Sequence, residues 1–465
     1  MRRADITIIG GGAAGALAVL HLARSAQANG STCSIELVER SERDLGEGLG
    51  FSTRDQGHLL NVRAEQMSAY PDRPDDFVAW WATQGRVLDP HGFVPRAMFA
   101  TYLSAQVQDA LASSTVDFTQ TRAEATSIAR SNGSLIVSTT QGDIQTKDVV
   151  LATGNPPSEG LPGVLSEDAR QSEHFIGDPW IPGQLDRVAE TDRVVLVGTG
   201  LTMVDVVTTL VGKFPNITML AVSRHGLLPA VHTETHSVLA VDSETMEQRH
   251  ERFPGLSPWQ HFELGKEQAA SSTDWRSVFD GLRPYTVDIW RRLTPQQQQD
   301  FLDRDFRQWE VHRHRMPPES WSLIEKVLGN EQLLVMAGNL TSVTEHDHSW
   351  VAHIEPTRPE TSIQRPEFTQ RFSTLIDCTG RHPDAGLSTN PILRSLHDQG
   401  VVRGHATGWG IDVAPDGIVL DARGQRIEWL HSLGSLRRGE AWESTAIPAI
   451  RQQAATLANA LTASD

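Results

Sequence analysis

Ile6-Thr7-Ile8-Ile9-Gly10-Gly11-Gly12-Ala13-Ala14-Gly15 is the stretch that decides the fold. Its first four residues form a short, mainly apolar run ending in glycines, as a buried parallel strand does. Three glycines then follow in the spacing Gly10-x-Gly12-x-x-Gly15. The first permits a tight turn, the second lets the backbone approach a pyrophosphate, and the third lets a helix pack close on the strand. Ala14 to Ala26 continues in small and apolar residues and reads as that helix. Its start offers free N–H groups and a partial positive charge to phosphate oxygens. Ser34-Ile35-Glu36-Leu37-Val38 reads as the next strand, and Glu39 ends it, 24 residues beyond Gly15. A carboxylate there accepts hydrogen bonds from ribose hydroxyls. Gly10, Gly12, Ala13, Ala14, Gly15, Glu39 and the adjacent Arg40 form the first set of candidate cofactor-binding residues.

The pattern returns near the middle of the chain. Arg193-Val194-Val195-Leu196-Val197 reads as a buried strand, and Gly198-Thr199-Gly200-Leu201-Thr202-Met203 follows it. Gly198 and Gly200 fill the first two glycine roles, while Met203 stands in the third and sets helix and strand slightly further apart. The next strand, Ile217 to Val222, ends at Ser223 and Arg224. An acid there favours NADH. A hydroxyl beside a guanidinium fork suits the 2′-phosphate of NADPH instead. Gly198, Gly200, Leu201, Thr202, Ser223 and Arg224 are the second candidate set.

Composition narrows the field. The 465 residues are 39% hydrophobic and 21% charged, ordinary for a globular chain of two or three domains. Lys and Arg number 41 against 58 Asp and Glu, a net charge of −17. Such a surface repels phosphate backbones and anionic lipid, which argues against nucleic-acid and membrane partners. Cys33 and Cys378, the two cysteines, lie far apart, so no disulfide framework and no closely spaced redox pair is expected. Arg2 and Arg3 precede an apolar run, but Asp5 and the glycines interrupt it, so it reads as strand, turn and helix rather than a secretion leader. With no long apolar run elsewhere, a cytoplasmic setting is expected. His346 and His348 flank Asp347 without further ligands at workable spacing, so no metal is expected.

The overall reading is an α/β chain with two dinucleotide-binding, Rossmann-like domains, the second inserted in the first, and a helical insertion. The expected bounds are 1–180 for the first part of the outer domain, 181–365 for the inner domain, and 366–465 for the second part of the outer domain. The inner domain includes the helical insertion at about 240–330, with tryptophans at 259, 275, 290, 309 and 321. Leu151-Ala152-Thr153-Gly154 and Asp377-Cys378-Thr379-Gly380 are strand ends closed by glycine turns, expected where the chain leaves and re-enters the outer domain. Glu428 to Gly434 reads as a last strand and Ala446 to Leu461 as a closing helix.

These motifs resemble the two-dinucleotide flavoproteins, and more closely a bacterial FAD/NAD(P)-binding family related to class B, N-hydroxylating monooxygenases. The shared stretches are His58-Leu59-Leu60-Asn61-Val62 with Met67, Phe93-Val94-Pro95-Arg96, Leu151 to Pro156, and Asp178-Pro179-Trp180. Further along come Gly198 to Asp205, Ser223 to Pro229, His312-Arg313-His314-Arg315-Met316, and Trp442-Glu443 with Ala446-Ile447-Pro448. The resemblance implies FAD on the N-terminal turn and NADPH on the second. It implies that NADPH reduces the flavin, that O₂ adds to give a C4a-(hydro)peroxyflavin, and that oxygen passes to a small nucleophilic substrate, an amine nitrogen first among them. The alternative is an FAD-dependent NADPH oxidoreductase or oxidase without oxygen insertion. The resemblance further places Asn61 and Met67 at the flavin ring, Arg96 at the FAD pyrophosphate, Ala125 at the adenine, and Thr153, Gly154, Gly434 and Trp442 at the cofactor. Asn61 is the candidate donor to the reacting oxygen. Arg313 and Arg315 anchor a substrate carboxylate or NADPH phosphates, or else form ion pairs with Glu310 and Glu319. Partners are then a small-molecule substrate and O₂, with a homo-oligomer also possible.

Overall fold

The computed structural model describes residues 1–85, 89–131, 133–156, 158, 160–234, 238–239, 243–346, 349–357, 368–380, 387 and 389–463. Within them, Ile6–Ile9 is a strand buried at every position, and the helix Ala13–Asn29 follows directly from the glycine turn. The helix buries its face from Gly15 to Ala26 with no acidic residue in its first turn. Ser34–Glu39 returns parallel to Ile6–Ile9, with Ile6 opposite Ile35 and Ile9 opposite Val38. Asp148–Leu151 pairs parallel on the other side of Ile6–Ile9, Arg426–Ser432 pairs parallel beyond it, and Asp117–Arg122 flanks Ser34–Glu39. With Ile418–Leu420 this makes a six-stranded sheet built from both ends of the chain. The closing helix Ile447–Thr462 packs against the first helix, where Ser25 Oγ and Thr462 Oγ1 meet at 2.6 Å.

A second, seven-stranded sheet repeats the arrangement. Arg193–Val197 is central, Thr218–Ser223 lies parallel on one side and Thr374–Asp377 parallel on the other. Leu333–His346 extends it in parallel, then Ser349–Pro356 and Phe368–Phe372 add antiparallel strands. The short strand Phe175–Ile176 pairs with Leu375–Ile376 at the far edge. The third sheet is small and pairs Ser134–Thr139 with Ala125–Ser131 as an antiparallel hairpin.

By sheet membership the crossings between the units lie before Phe175 and after Asp377. The first falls earlier than the expected 180, because Phe175–Ile176 is already an edge of the second sheet. The expected 365/366 boundary, like His348 and Asp347, lies outside the described residues. The Asp377-Cys378-Thr379-Gly380 turn stands at the second crossing, at the end of the last strand of the second sheet before the chain returns to the first. It is the third-strand turn of the second unit, the counterpart of Leu151-Ala152-Thr153-Gly154 in the first.

The helical insertion runs through helices from Ser243–Arg252 to Pro318–Gly329. Two of them carry full capping boxes with proline in the first turn, at Ser257 with Gln260 and Thr294 with Gln297. Phe262, Phe279, Trp290, Phe301 and Trp309 form its core, and Trp442 of the C-terminal segment joins them. Trp290 and Trp442 lie with ring centroids 4.6 Å apart. Trp442 is thus a core residue that fastens insertion to outer domain, and it does not line the cleft over the first turn.

Candidate dinucleotide-binding sites

Gly10 and Gly198 occupy the same geometry in the two units. Each has φ +109°, a backbone conformation that side-chain-bearing residues avoid. A Cβ on Gly10 would lie 2.3 Å from the Ala152 carbonyl oxygen, and one on Gly198 would lie 2.4 Å from that of Cys378. In both units the strand leading into the turn presses against the turn of its parallel neighbour, leaving no room for a methyl group. Gly15 completes the first motif, since its Cβ would fall 1.9 Å from the Gly10 carbonyl oxygen. In the second unit the bulk of Met203 is absorbed as buried core.

Both helix starts are open. Gly12 caps the first helix and Gly200 caps Leu201–Lys213, and neither supplies a side-chain hydrogen bond. The N–H groups that a serine or aspartate cap would take up remain for an external acceptor, and the helix dipole favours an anion there. A pyrophosphate satisfies both demands.

A cleft of about 280 Å³ opens over the first turn. It gathers Gly10, Gly12, Ala13, Ala14, Glu39, Arg40, Ala125, Thr153, Gly154 and Gly434 from the expected set. Glu39 bridges backbone, its carboxylate accepting from Gly11 N at 2.6 Å and Ser41 N at 2.7 Å. That holds the carboxylate at the strand end where ribose hydroxyls would meet it. Gly434, at φ +74°, donates its N–H to Gln453 of the closing helix at 3.1 Å.

Residues outside the expected set also line this cleft. The loop Gly48-Leu49-Gly50-Phe51 lies over the turn, and Gly46 N donates to Gly11 O at 2.8 Å. Gly48 and Gly12 meet so closely that a Cβ on Gly12 would sit 3.2 Å from the Gly48 Cα. Arg43, Asn390 and Thr445 complete the lining. The alternation Gly46-x-Gly48-x-Gly50 was the readable signal for this loop, while Asn390 and Thr445 gave none.

Several expected residues lie elsewhere. Met67 is packed in the core beneath the first helix. Asn61 is half-buried outside the cleft lining, and its carbonyl accepts from His232 Nε2 at 3.1 Å. Burial drives the His232 pKa down to about 2, so the ring is neutral. Arg96 does not line the cleft over the first turn. Its Nη2 pairs with buried Asp205 at 2.6 Å, and its Nε donates to Leu59 O at 3.1 Å. Asp205 belongs to the helix of the second unit, so Arg96 ties the two units together. His58 reinforces the tie by donating from Nε2 to Asp205 O at 2.9 Å. Arg313 and Arg315 are buried ion-pair partners, Arg313 with Glu443 and Arg315 with Asp280. Glu310 pairs with Arg438 and His314 instead.

At the second turn, Ser223 Oγ and Thr199 Oγ1 meet at 2.8 Å, which fixes the strand end against the turn. Arg224 is exposed beside it. Arg307, from the helical insertion, reaches the same place and was not foreseen. Its Nη2 donates to Leu227 O at 3.1 Å and to Thr199 Oγ1 at 3.4 Å. Burial lowers the Arg307 pKa, and Glu310 opposes that while the nearby charge of Arg224 adds to it. Two guanidinium groups thus flank the second turn, as a 2′-phosphate would require.

Cys33 and Cys378 are separate free thiols, one half-buried and one buried, and burial raises the pKa of both. They do not form a redox pair. Among the described residues, no helix is long and apolar enough to cross a membrane, and no group of three or more His, Cys, Asp or Glu is placed to hold a metal.

Two sheets, each with a glycine turn and an open helix start, define a two-dinucleotide-binding architecture. Residues 7–156 match a family described as FAD-NAD(P)-binding, so this segment is an FAD/NAD(P)-binding domain. No curated protein sequence matches the chain. Among solved structures it is similar to the ornithine N-hydroxylase of Kutzneria sp. 744, with 16% identity over 99% of each chain and a TM-score of 0.64. It is similar to L-lysine 6-monooxygenase from Pseudomonas syringae, with 15% identity over 98% of this chain and 99% of that one, at a TM-score of 0.63. It also resembles thioredoxin reductase from Lactococcus lactis, with 12% identity over 99% of each chain and a TM-score of 0.54. At these identities the likeness establishes the fold, which oxygenases and disulfide reductases share.

Proposed function

We propose that this chain is an NADPH-dependent FAD monooxygenase that oxygenates a small nucleophilic substrate, with an amine nitrogen as the acceptor atom. The observation that carries the reading is the matched geometry of Gly10 and Gly198, each with an open helix start behind it. When bound, FAD and NADPH supply hydride transfer and the activation of O₂. The first turn and Glu39 hold the FAD diphosphate and ribose. Arg224 and Arg307 select the phosphorylated nicotinamide cofactor at the second turn. The outer domain, before Phe175 and after Asp377, carries FAD, and the unit between them carries NADPH. The aromatic core of the insertion keeps its side of the interface dry, which protects a reactive oxygen donor from water.

Oxygenation is favoured over disulfide reduction because the two cysteines are apart and burial raises the pKa of each thiol. Two of the structural neighbours are named ornithine N-hydroxylase and L-lysine 6-monooxygenase. The test is anaerobic bleaching of the bound flavin by NADPH, followed by O₂ in the presence of candidate amines. Hydroxylated product formed in step with NADPH consumption supports the proposal. NADPH consumption that yields only hydrogen peroxide with every amine moves the assignment to an oxidase or reductase.

A further inference from the structure

The loop over the first turn continues onto the other unit. Beyond Gly48-Leu49-Gly50-Phe51, the chain from Asp55 to His58 lies against Leu201–Lys213, the helix whose open start belongs to the second turn. Gly57 comes so close that a Cβ there would fall 2.6 Å from Thr208 Cγ2.

Thr209 is the centre of this contact. Its hydroxyl donates to Asp55 Oδ2 at 2.6 Å and accepts from His58 Nε2 at 2.9 Å. The same Nε2 faces Asp205 O at 2.9 Å, an atom that can only accept, so Nε2 carries a proton. His58 Nδ1 accepts from the Thr53 hydroxyl at 2.7 Å, and Asp55 Oδ1 accepts from Gly57 N at 2.9 Å. Burial raises the Asp55 pKa, but the bonds from Thr209 and Gly57 outweigh it and leave the carboxyl below its usual value, ionised at neutral pH. The Trp180 ring packs edge-on against His58, with centroids 5.7 Å apart.

At its near end the loop is held by the outer unit. Gly46 N donates to Gly11 O at 2.8 Å, and Phe51 packs on Phe99 with ring centroids 4.9 Å apart. Residues 52–57 are otherwise bonded among themselves and to Glu47, Leu49 and His58. Among the described residues, the Thr209 hydroxyl is the one hydrogen-bond or ion-pair partner they have outside residues 46–59. The Arg96–Asp205 pair joins the two units, whereas the Thr209–Asp55 bond joins the loop to the inner one. Thr209 does not line the cleft, and it stands nine residues beyond Gly200 on the helix. We propose that Thr209 is a positioning residue for the flavin: through Asp55 it holds the loop Gly46–Phe51 down on the first turn and slows the escape of FAD. That role needs FAD on the first turn and holds whichever reaction the flavin performs.

The experiment uses the FAD-loaded protein as wild type, Thr209→Val, Thr209→Ser, Asp55→Ala and the double variant Thr209→Val with Asp55→Ala. Valine keeps the shape of threonine and removes the hydroxyl. FAD release is followed by the rise in flavin fluorescence after dilution. Thr209→Val is expected to release FAD about tenfold faster than wild type, the scale of one charge-assisted hydrogen bond, and Thr209→Ser to return close to the wild-type rate. Asp55→Ala should match Thr209→Val, and the double variant should be no faster than either, because both changes cut the same bond. Trypsin cleavage after Arg54, whose side chain is 72% exposed within the held segment, should speed up in Thr209→Val and Asp55→Ala and not in Thr209→Ser. A valine variant that keeps FAD as long as wild type, a serine variant that gives no relief, or effects that add in the double variant overturn the proposal. So does cleavage after Arg54 at one rate in all the proteins. A yellow protein whose release rate ignores Thr209 refutes this role alone, whereas a colourless wild type refutes the flavoprotein reading. If Thr209→Val does not fold, Asp55→Ala carries the same comparison from the loop side.

Discussion

Replacing Gly198 by alanine, and separately Gly10 by alanine, tests which cofactor each turn holds. At Gly198 the new Cβ would stand 2.4 Å from Cys378 O and 2.6 Å from its carbonyl carbon, with φ at +109°. That is roughly 1 Å short of ordinary contact, and the obstacle is backbone of a buried strand that cannot swing aside. Holding a residue with a Cβ at such a φ costs of order 1–3 kcal/mol by itself. The turn must therefore move, and the N–H groups of the Gly200-capped helix move with it. A loss of about 3 kcal/mol in binding corresponds to a hundredfold or greater weakening. Gly198→Ala is expected to purify yellow, with flavin content equal to wild type. Its anaerobic bleaching should demand at least a hundredfold more NADPH. Gly10→Ala, blocked at 2.3 Å by Ala152 O, is expected to purify largely without flavin. The measurements are flavin absorbance per protein and stopped-flow reduction against NADPH concentration. A Gly198→Ala enzyme bleached at wild-type NADPH concentrations, or a Gly10→Ala enzyme that retains its flavin, refutes the assignment of the two turns.

Three further outcomes are expected. Arg96→Met strands the Asp205 carboxylate, which is 7% exposed, without its cation, so urea unfolding at neutral pH should show a loss of about 3–5 kcal/mol. The double variant with Asp205→Leu should recover most of that loss, and a single variant as stable as wild type counts against the tie. Arg224→Ala and Arg307→Ala should each raise KM for NADPH about tenfold or more while leaving KM for NADH nearly unchanged. An equal effect on both coenzymes would instead place these cations at the diphosphate. Burial lowers the pKa of His21 and of His261 from 6.5 to about 4. The unfolded chain binds those protons first, so the stability contribution is whole above pH 6.5 and falls away as pH drops towards 4. The scale is about 3 kcal/mol for each ring at 1.36 kcal/mol per pKa unit. Unfolding free energies measured between pH 7 and pH 4 check this, and a profile that His21→Gln leaves equally steep contradicts it.

The two nucleotide units were legible because each is written within about forty consecutive residues, where glycine spacing and strand pattern fix local geometry together. The same locality explains why Glu39, Ala125, Thr153, Gly154 and Gly434 converge on one cleft, since each sits at the end or edge of a strand of a recognisable sheet. Charged side chains were harder to place, because an arginine reads the same whatever it faces. Arg96 pairs with Asp205 in the other unit, Arg313 with Glu443 and Arg315 with Asp280, and none of these pairings leaves a trace in spacing. Met67 and Trp442 were drawn towards the cofactor by resemblance, while packing took them into cores. Arg307 escaped notice because it lies in the insertion, 108 residues from the threonine whose hydroxyl it reaches. The strand before Cys378 fell on the outer side of the expected boundary yet pairs in the second sheet, because two units of one design carry the same strand-end signature.

The Arg96–Asp205 pair has a bearing on how such an enzyme can move. It joins the nucleotide helix of the inner unit to the shell of the outer one through a desolvated contact, with the His58 ring wedged against the same carboxylate residue. A wholesale swing of one lobe about the other would have to break that weld. The Gly46–Phe51 loop over the first turn lies outside that weld, so exchange of a small molecule there asks nothing of the Arg96–Asp205 pair.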